Sequence, residues 1–243
     1  MLLFSAMPSK DVRGCDPVGS AISAKPTILA VGDCNTLGTS SLIGSSYPAR
    51  LSRLLCLEVI NRGYTMATTR EGLYLLEDSL TERVDCLLIQ FGLVDSHRTF
   101  QYSPYVPYYP DNFPRKQCRS LVKKYKKFCR QHGLHKRFGE KHVVDEQEYA
   151  SNIKQMVLRA GEIKVLLLDT IPTSRTERNK DIVRYNAILS CIAEKFPTCS
   201  KVDLYEDFVT RFDEFSLDGI HCSASGHDFI ARKIHTLLAH DEL

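Results

Sequence analysis

The sequence predicts a three-layer α/β/α sandwich built around a five-stranded parallel sheet. Five short apolar segments alternate with segments of helical periodicity, the order that successive βαβ units produce. The apolar segments are nearly uninterrupted, as parallel strands are when helices cover both faces of their sheet. Neither an internal repeat nor a linker divides the 243 residues, which are enough for one substantial core.

Three strands are expected in the first half of the chain. Apolar residues dominate 27–31, 57–61 and 85–91, and each of these runs has the length of a buried strand. Apolar residues at helical spacing predict helices at 45–56 and 70–80, between these strands. The two helices would supply the right-handed crossovers that join parallel strands.

The last two strands and three further helices are expected in the second half. Residues 164–170 and 200–204 are the apolar runs, and helical spacing covers 145–160, 177–196 and 224–239. In a doubly wound sheet of this kind, chemistry takes place beyond the carboxyl ends of the strands. Side chains that follow a predicted strand are therefore the first candidates for a functional site.

Two segments lie outside this alternation. Residues 1–25 are rich in Ser, Gly and Ala without clear periodicity, so we expect a loose arm before a single domain at 26–243. Residues 96–143 separate the third and fourth strands by far more than an ordinary connection. This insertion begins with a Tyr/Pro-rich stretch at 102–110 and continues as a basic, helical segment at 115–141, which carries a local charge of +10.

Composition is that of an ordinary globular enzyme, with 43% hydrophobic and 25% charged residues and a net charge of +3. No apolar run approaches the roughly 20 residues of a membrane-spanning helix, and we expect no secretory signal. The nine cysteines are odd in number and form no Cys-x-x-Cys pair, which favours free thiols in a cytoplasmic setting. The C-terminal His240-Asp241-Glu242-Leu243 spells a retrieval signal of the endoplasmic reticulum, which we interpret as coincidental without an entry signal. No metal site or other cofactor is expected.

A polar turn after the first predicted strand contains Cys34. It reads Gly32-Asp33-Cys34-Asn35-Thr36 and would present one side chain at the carboxyl end of that strand. A cysteine in this place can be a nucleophile once a base removes its proton. On this turn alone, an inert and buried thiol is the more common alternative.

A second candidate stands before the last predicted helix, where Asp218 precedes His221 by three residues. An imidazole can take the proton of a nucleophile and return it to the leaving group. A carboxylate beside it can hold the ring in the required tautomer. The alternative is that Asp218 forms a turn and His221 enters the helix without a chemical role.

Together, these segments resemble motifs of the SGNH/GDSL hydrolase superfamily. The Gly-Asp-Cys turn resembles block I, whose third residue is usually the nucleophilic serine, and Asp-x-x-His resembles block V. Gly63 stands where block II has its glycine, and Gly92-Leu93-Val94-Asp95 resembles block III. The resemblance implies the flavodoxin-like SGNH fold, with Cys34 as nucleophile, His221 as general base and acid, and Asp218 as the partner of His221. It also implies that the backbone N–H groups of Cys34 and Gly63 belong to the oxyanion hole.

Two positions depart from the pattern of the superfamily. Val94 replaces the block III asparagine, a side-chain donor to the oxyanion, and losing one such donor can cost about 10²–10³ in turnover. We therefore treat Asp95, His97 and Arg98 as candidate substrate-binding residues. Either His97 or Arg98 replaces the missing donor, or the oxyanion hole works with backbone donors only. Cys34 in place of serine would give a thioester acyl-enzyme, and its thiol could ionise near neutral pH. The form Gly-x-Val-Asp also resembles SGNH-like proteins of bacterial surface-polysaccharide clusters.

Three functions stay open at this point. The first is hydrolysis of a small acyl ester, such as one on a carbohydrate, through a Cys34 acyl-enzyme. The second is acyl transfer from the thioester of a carrier protein or of coenzyme A, since a thioester intermediate exchanges readily with such donors. The third is a binding protein without catalysis, for which Val94 and Cys34 are the arguments.

The basic segment at 115–141 suggests an anionic partner, either an acidic carrier protein or an anionic saccharide. The alternative is a solvated helix whose Leu121, Val122, Tyr125 and Phe128 pack inward at helical spacing. Nucleic acid is not favoured, because the sequence has no recognisable nucleic-acid module. No membrane partner is expected.

Overall fold

The structure is a computed structural model that describes residues 26–39, 43–80 and 83–240. The strands are β1 (Thr27–Gly32), β2 (Glu58–Gly63), β3 (Val84–Gln90), β4 (Arg98–Phe100), β5 (Glu140–His142), β6 (Lys164–Leu168) and β7 (Cys199–Val202). The helices are α1 (Cys34–Leu37), α2 (Tyr47–Leu55), α3 (Thr69–Glu77), α4 (Phe113–Gln131), α5 (Leu134–Phe138), α6 (Glu146–Ala160), α7 (Thr176–Ala193), α8 (Tyr205–Thr210), α9 (Phe212–Phe215) and α10 (Ala224–His240). None of these described helices is both long and apolar enough to cross a membrane. The arm predicted at 1–25 and the last three residues of the C-terminal tetrapeptide lie outside the described residues.

Five strands form one parallel sheet in the order β2-β1-β3-β6-β7. The predicted fold class is therefore confirmed, and each predicted strand and helix of the alternation is present with ends shifted by a few residues. Gly32 at the end of β1 lies opposite Gly63 of β2 and Gln90 of β3. The carboxyl ends of three neighbouring strands thus meet at one edge of the sheet, which is where side chains from different strands can be brought together.

Each face of the sheet packs against its own helices, because successive side chains along a strand point to opposite faces. On one face, Leu29 and Leu87 belong to a buried cluster with residues of α3, α6 and α7. On the other face, Ile28 and Leu88 belong to a second cluster with residues of α2 and α10. The central strands β1, β3 and β6 are buried on both sides, which is why their sequences are nearly continuous apolar runs.

A two-stranded antiparallel sheet closes the base of the insertion, and we did not predict it. β4 and β5 pair Arg98 with His142 and Phe100 with Glu140. The Tyr/Pro-rich stretch, α4 and α5 lie between these two strands. Strands of three residues are too short to show a periodic pattern, and these two are distant from each other in the chain.

The apolar residues of α4 lie mostly on its outer face. Leu121 is 65% exposed and Phe128 is 53% exposed, and Tyr125 is also exposed. The interpretation that these side chains pack inward is therefore wrong for Leu121 and Phe128, whereas the Tyr125 ring contacts the buried Phe100 of β4. The helix packs against β4 and α5 along one edge, and the inward positions on that edge are Val122 and the buried Cys129. An exposed apolar stripe beside lysines is the result.

The Tyr/Pro-rich stretch is attached to the start of α3 through the fully buried Glu71. Glu71 Oε1 accepts hydrogen bonds from the Tyr105 hydroxyl at 2.5 Å and from the Tyr108 N–H at 2.8 Å. Its Oε2 accepts from the Thr68 N–H at 2.9 Å, which completes a capping box at the helix N-terminus. One carboxylate therefore caps the helix and holds the insertion against the domain.

Candidate active site

Cys34 is the first residue of α1, directly after β1. Asp33 caps this short helix, and its Oδ1 accepts the N–H of Asn35 at 2.9 Å. The Thr36 hydroxyl donates to Gln90 Oε1 at 3.0 Å, which fixes the turn to the end of β3. Cys34 is thereby held, partly buried, at the edge where three strands end.

Asp218 and His221 lie in the loop that leads into α10 and contact each other. Asp218 Oδ2 lies 2.7 Å from His221 Nδ1, and Oδ1 accepts the N–H groups of Ile220 and His221 at 3.0 and 2.8 Å. Slight burial of Asp218 opposes ionisation, but the hydrogen bonds from His221 outweigh it and lower the pKa of the carboxyl. This partner assigns the imidazole proton to Nδ1 and leaves Nε2 free to accept one.

Asn35 joins the turn of Cys34 to the loop of His221. Asn35 Oδ1 accepts the N–H of Cys222 at 2.9 Å, and its Nδ2 donates to the carbonyl of Ile220 at 3.4 Å. The backbone is thus bound on both sides of His221 by the residue that follows Cys34. The sequence does not indicate this role of Asn35, because its partners are distant in the chain and no local pattern marks them.

Cys34 and His221 line one cavity of about 280 Å³. The roles of Cys34 as nucleophile and of His221 as base stay predictions. Among the contacts of the described residues, no hydrogen bond joins the thiol to the imidazole. The other lining residues are four apolar residues, a histidine and two arginines: Met66, Leu93, Val94, Ile220, His97, Arg175 and Arg178.

The environment of Cys34 keeps the thiol protonated. Burial raises the pKa of the Cys34 thiol well above its ordinary value, and the neighbouring Asp33 carboxyl adds to the effect. Burial also raises the pKa of Asp33 to about 7, against the opposing hydrogen bond from the Asn35 N–H. The structure therefore does not favour a Cys34 thiolate near neutral pH. A nucleophilic role of Cys34 would require a base that removes this proton.

Gly63 packs against α1 and does not line this cavity. A Cβ at Gly63 would lie 2.1 Å from the backbone nitrogen of Leu37, so only glycine fits there. The Gly63 N–H donates to Asn61 Oδ1 at 2.8 Å. An oxyanion would have to displace this amide oxygen, and the role of Gly63 as a donor stays a prediction.

Met66 lies three residues after Gly63 and does line the cavity. Its φ is +63°, in the left-handed region that residues other than glycine seldom adopt. Among the hydrogen bonds of the described residues, none uses the Met66 N–H. We did not single out Met66 from the sequence, because a methionine carries no signal for a positive φ.

The three candidate substrate-binding residues after β3 lie in different environments. Asp95 is fully buried and caps α3, with Oδ1 accepting from the Thr69 N–H at 2.9 Å, so contact with substrate is not open to it. Burial raises the pKa of Asp95 to about 7. Arg98 is paired with Asp181 at 2.7 Å and lies outside the cavity. His97 alone of the three faces the space beside Cys34.

A second, smaller cavity of about 90 Å³ continues from the first. Met66, Val94 and His97 line both, and the second extends between Tyr105 and Lys126 of the insertion. The insertion therefore forms one wall of the extended cleft. Within the described ranges, no cluster of three or more His, Cys, Asp or Glu side chains could hold a metal ion.

Residues 30–229 match the sequence profile of the GDSL-like lipase/acylhydrolase family. A catalytic mutant of Axe2, an acetylxylan esterase from Geobacillus stearothermophilus, is similar with a TM-score of 0.60 and 19% identity, over 88% of this chain and 94% of that one. The lipase/acylhydrolase from Enterococcus faecalis has a TM-score of 0.58 and 18% identity, over 89% and 96%. A member of the lipolytic G-D-S-L family from Veillonella parvula has a TM-score of 0.60 and 11% identity, over 88% and 98%. We find no match among curated protein sequences.

Proposed function

The chain belongs to the GDSL-like lipase/acylhydrolase family, and from this premise we propose that it hydrolyses short acyl esters through a thioester at Cys34. The observation that carries the proposal is the shared cavity of Cys34 and His221, with Asp218 bound to the far side of the imidazole. A thiol and an imidazole at one cavity, with a carboxylate bound to the imidazole, are the groups that a nucleophile, a base and an orienting acid require, which supports the proposal.

The reaction has two halves. In the first, His221 Nε2 takes the thiol proton while Sγ attacks the carbonyl carbon, and the C–O bond of the ester breaks as Nε2 returns the proton to the leaving oxygen. In the second half, a water molecule gives its proton to Nε2 and attacks the thioester carbon. The carboxylic acid leaves, and the proton returns to Sγ. Asp218 stabilises the imidazolium that forms in each half.

Backbone N–H groups are the proposed donors to the oxyanion. Cys34 supplies the first, at the start of α1. For the second we propose the Met66 N–H, because Met66 lines the cavity and the Gly63 N–H is bound to Asn61. Val94 stands where the superfamily has a side-chain donor and can donate nothing, so the hole is incomplete by one group.

Short acyl groups on a carbohydrate are the proposed substrates. The cavity beside Cys34 is small, at about 280 Å³, and its apolar side is suited to an acyl chain of a few carbons. The acetylxylan esterase of similar fold acts on acetylated xylan, as its name says. The continuation of the cleft along the insertion would leave room for the group that carries the ester.

Acyl transfer is the second candidate, and the thiol nucleophile favours it. A thioester is attacked by amines and thiols more readily than an oxygen ester, so an acceptor other than water would compete in the second half of the reaction.

A binding protein without catalysis is the third candidate, and the raised pKa of the Cys34 thiol together with Val94 supports it.

Intact-mass measurement separates the three candidates. After brief exposure to 4-nitrophenyl acetate or acetyl-coenzyme A, we expect one acetyl adduct that requires Cys34 and is lost with time, because the ester donor acylates the thiol. The Cys34→Ala protein should remain unmodified, while Cys56→Ala, which removes an exposed thiol outside the cavity, should behave as wild type. Preference for the thioester donor, with clearance by an added alcohol or amine, would identify a transferase. A Cys34 that stays unmodified with both donors would contradict acyl-enzyme chemistry.

The basic segment at 115–141 is the proposed contact for an acidic carrier protein or an anionic saccharide. Lys123, Lys124 and Lys127 of α4 are exposed, and the apolar Leu121 and Phe128 are exposed beside them. Apolar and basic groups together favour a protein surface over a saccharide.

Reversing the charge of Lys123, Lys124 and Lys127 to glutamate is expected to weaken binding of an acidic acyl carrier protein by about tenfold at low ionic strength, and less at high ionic strength. Calorimetric titration at about 50 and about 200 mM salt would measure it. Reversal of the exposed Lys154, Lys180 and Lys195 changes net charge equally and should have little effect. Equal weakening by both triple variants would rule out a local contact, and binding of a uronic oligosaccharide in place of the carrier would identify the saccharide.

A further inference from the structure

Three cationic or ionisable side chains form one wall of the Cys34 cavity. Arg175 immediately precedes α7, Arg178 lies in its first turn, and His97 comes from the connection between β3 and β4. No aspartate or glutamate is among the described residues that line this cavity. The wall therefore presents positive charge to whatever occupies the space beside the thiol.

The two arginines are not neutralised by ion pairs within the described part of the chain. Arg178 Nη2 donates to the carbonyl of Leu93 at 3.1 Å, and Arg178 Nε is buried with no hydrogen-bond partner. The acidic Asp181 on the same helix is already bound by Arg98 and Arg184. Burial, followed by the charge of Arg175, lowers the pKa of Arg178. The charges of Glu177 and Asp181 oppose this effect, but among the described residues neither carboxylate forms an ion pair with Arg175 or Arg178. Two like charges close together without a paired carboxylate indicate a place for an anion.

His97 contributes a neutral ring to this wall. Burial lowers the pKa of His97 to about 4, with Arg178, Lys126, Arg175 and Arg130 adding to the effect through their charges. Its Nδ1 is buried and has no hydrogen-bond partner among the described residues. A neutral imidazole can offer one N–H donor without adding a third charge, which suits an acceptor oxygen.

We propose that Arg175, Arg178 and His97 bind a carboxylate carried by the ester substrate, next to the acyl carbon at Cys34. That the bound carboxylate belongs to a substrate rests on the proposed function. The subsite itself can be tested with any reagent that reaches the Cys34 thiol in the same cavity. Arginine is suited to this task because its planar guanidinium matches the two oxygens of a carboxylate. The substrates would then be acidic: half-esters of dicarboxylic acids, or acyl esters of sugar acids.

Alkylation of Cys34 by two matched reagents tests the subsite without any need for turnover. Iodoacetate and iodoacetamide each form an S–C bond and release iodide, and they differ in that iodoacetate carries a carboxylate. Peptide mass spectrometry gives the rate ratio of iodoacetate to iodoacetamide at Cys34 and at Cys191, an exposed thiol on α7 outside the cavity. We expect the ratio at Cys34 to exceed that at Cys191 by about tenfold at low salt, and the excess to shrink as salt is added.

Arg175→Gln and Arg178→Gln should each reduce this excess by about threefold or more, because each removes one charge from the wall. Lys180→Gln removes an exposed charge of the same helix outside the cavity and should leave the excess unchanged. Arg175 is exposed, so its substitution tests the proposal even if Arg178→Gln impairs folding. An equal ratio at Cys34 and Cys191, or a ratio insensitive to Arg175→Gln, would overturn the subsite.

The outcome is independent of the proposed esterase activity. A charge-dependent ratio in a protein that forms no acyl-enzyme would uphold the subsite and contradict the proposed function. Turnover of neutral esters, with the same iodoacetate-to-iodoacetamide ratio at Cys34 and Cys191, would support the proposed function and contradict the subsite. Where both hold, the 4-nitrophenyl half-ester of succinic acid should be preferred over 4-nitrophenyl butyrate in wild type, and the preference should fall in Arg175→Gln.

Discussion

His221→Ala is expected to lower the turnover of short acyl esters by about a thousandfold or more while the protein stays folded. The thiol of Cys34 is held protonated by burial and by Asp33, so attack on an ester depends on a base that removes the proton during the reaction. His221 lines the same cavity as Cys34, and its Nδ1 is occupied by Asp218. The measurement is kcat and KM for 4-nitrophenyl acetate, with thermal unfolding to confirm the fold.

The pH profile distinguishes a base from a merely structural histidine. In His221→Ala, the residual rate should keep rising with pH, because hydroxide must then generate the thiolate and the raised pKa of Cys34 places that event at high pH. In wild type, the rate should rise less steeply with pH over the same range, because His221 then removes the thiol proton. Asp218→Asn should lose less than His221→Ala, since the ring remains but its tautomer is no longer held.

His132→Ala supplies the control. His132 is exposed after α4 and lies outside the cavity, so its loss should change neither kcat nor the pH profile. A His221→Ala protein that keeps wild-type turnover would exclude the proposed mechanism. A protein that loses turnover together with its thermal transition would point to a structural role for the ring.

The sheet and its covering helices were predictable because burial on both faces leaves a signal along the chain. β3 and β6 are buried almost throughout, so the sequence of each is an apolar run of a kind that is uncommon in loops. The three-residue strands β4 and β5 have no such signal. Their pairing depends on contacts between residues that are distant in sequence, and only the folded insertion brings them together.

Which contacts of the site residues could be predicted also depends on whether their partners are near or distant in the chain. Asp218 and His221 are three residues apart, so their contact could be predicted from spacing. Asn35 binds the backbone beside His221 across almost the whole chain, and no pattern in the sequence indicates that bond. Asp95 stands beside cavity residues in sequence but turns inward to cap α3, which spacing alone does not show.

The start of α3 connects several of these features. Thr68 and Glu71 close its capping box, Glu71 holds the insertion, and Thr69 binds Asp95 directly after the cavity residue Val94. The wall of the cleft is thus assembled from segments that each use the same helix terminus. Because the start of α3 binds both the insertion and the connection after β3, the long insertion is held next to the cleft.

Val94→Asn is expected to raise kcat for short acyl esters by about tenfold to a hundredfold, with KM little changed. Val94 is only 7% exposed and lines the cavity beside Cys34, where an amide N–H would be aimed at the developing oxyanion. Such a donor acts more on the transition state than on the bound ester, so the gain should appear in kcat. The kinetics of 4-nitrophenyl acetate hydrolysis provide the measurement.

The new amide also has a cost, which supplies the matched control. Until substrate arrives, the Asn side chain lacks partners, so Val94→Asn should destabilise the fold by about 1–3 kcal/mol. Val94→Leu has the same branching at Cγ as asparagine but no donor, so its kcat should not exceed that of wild type. If Val94→Asn brings no gain, the oxyanion hole is already complete. His97, whose neutral ring faces the same cavity, would then be the donor that replaces the missing amide, and His97→Ala should lower kcat by about a hundredfold.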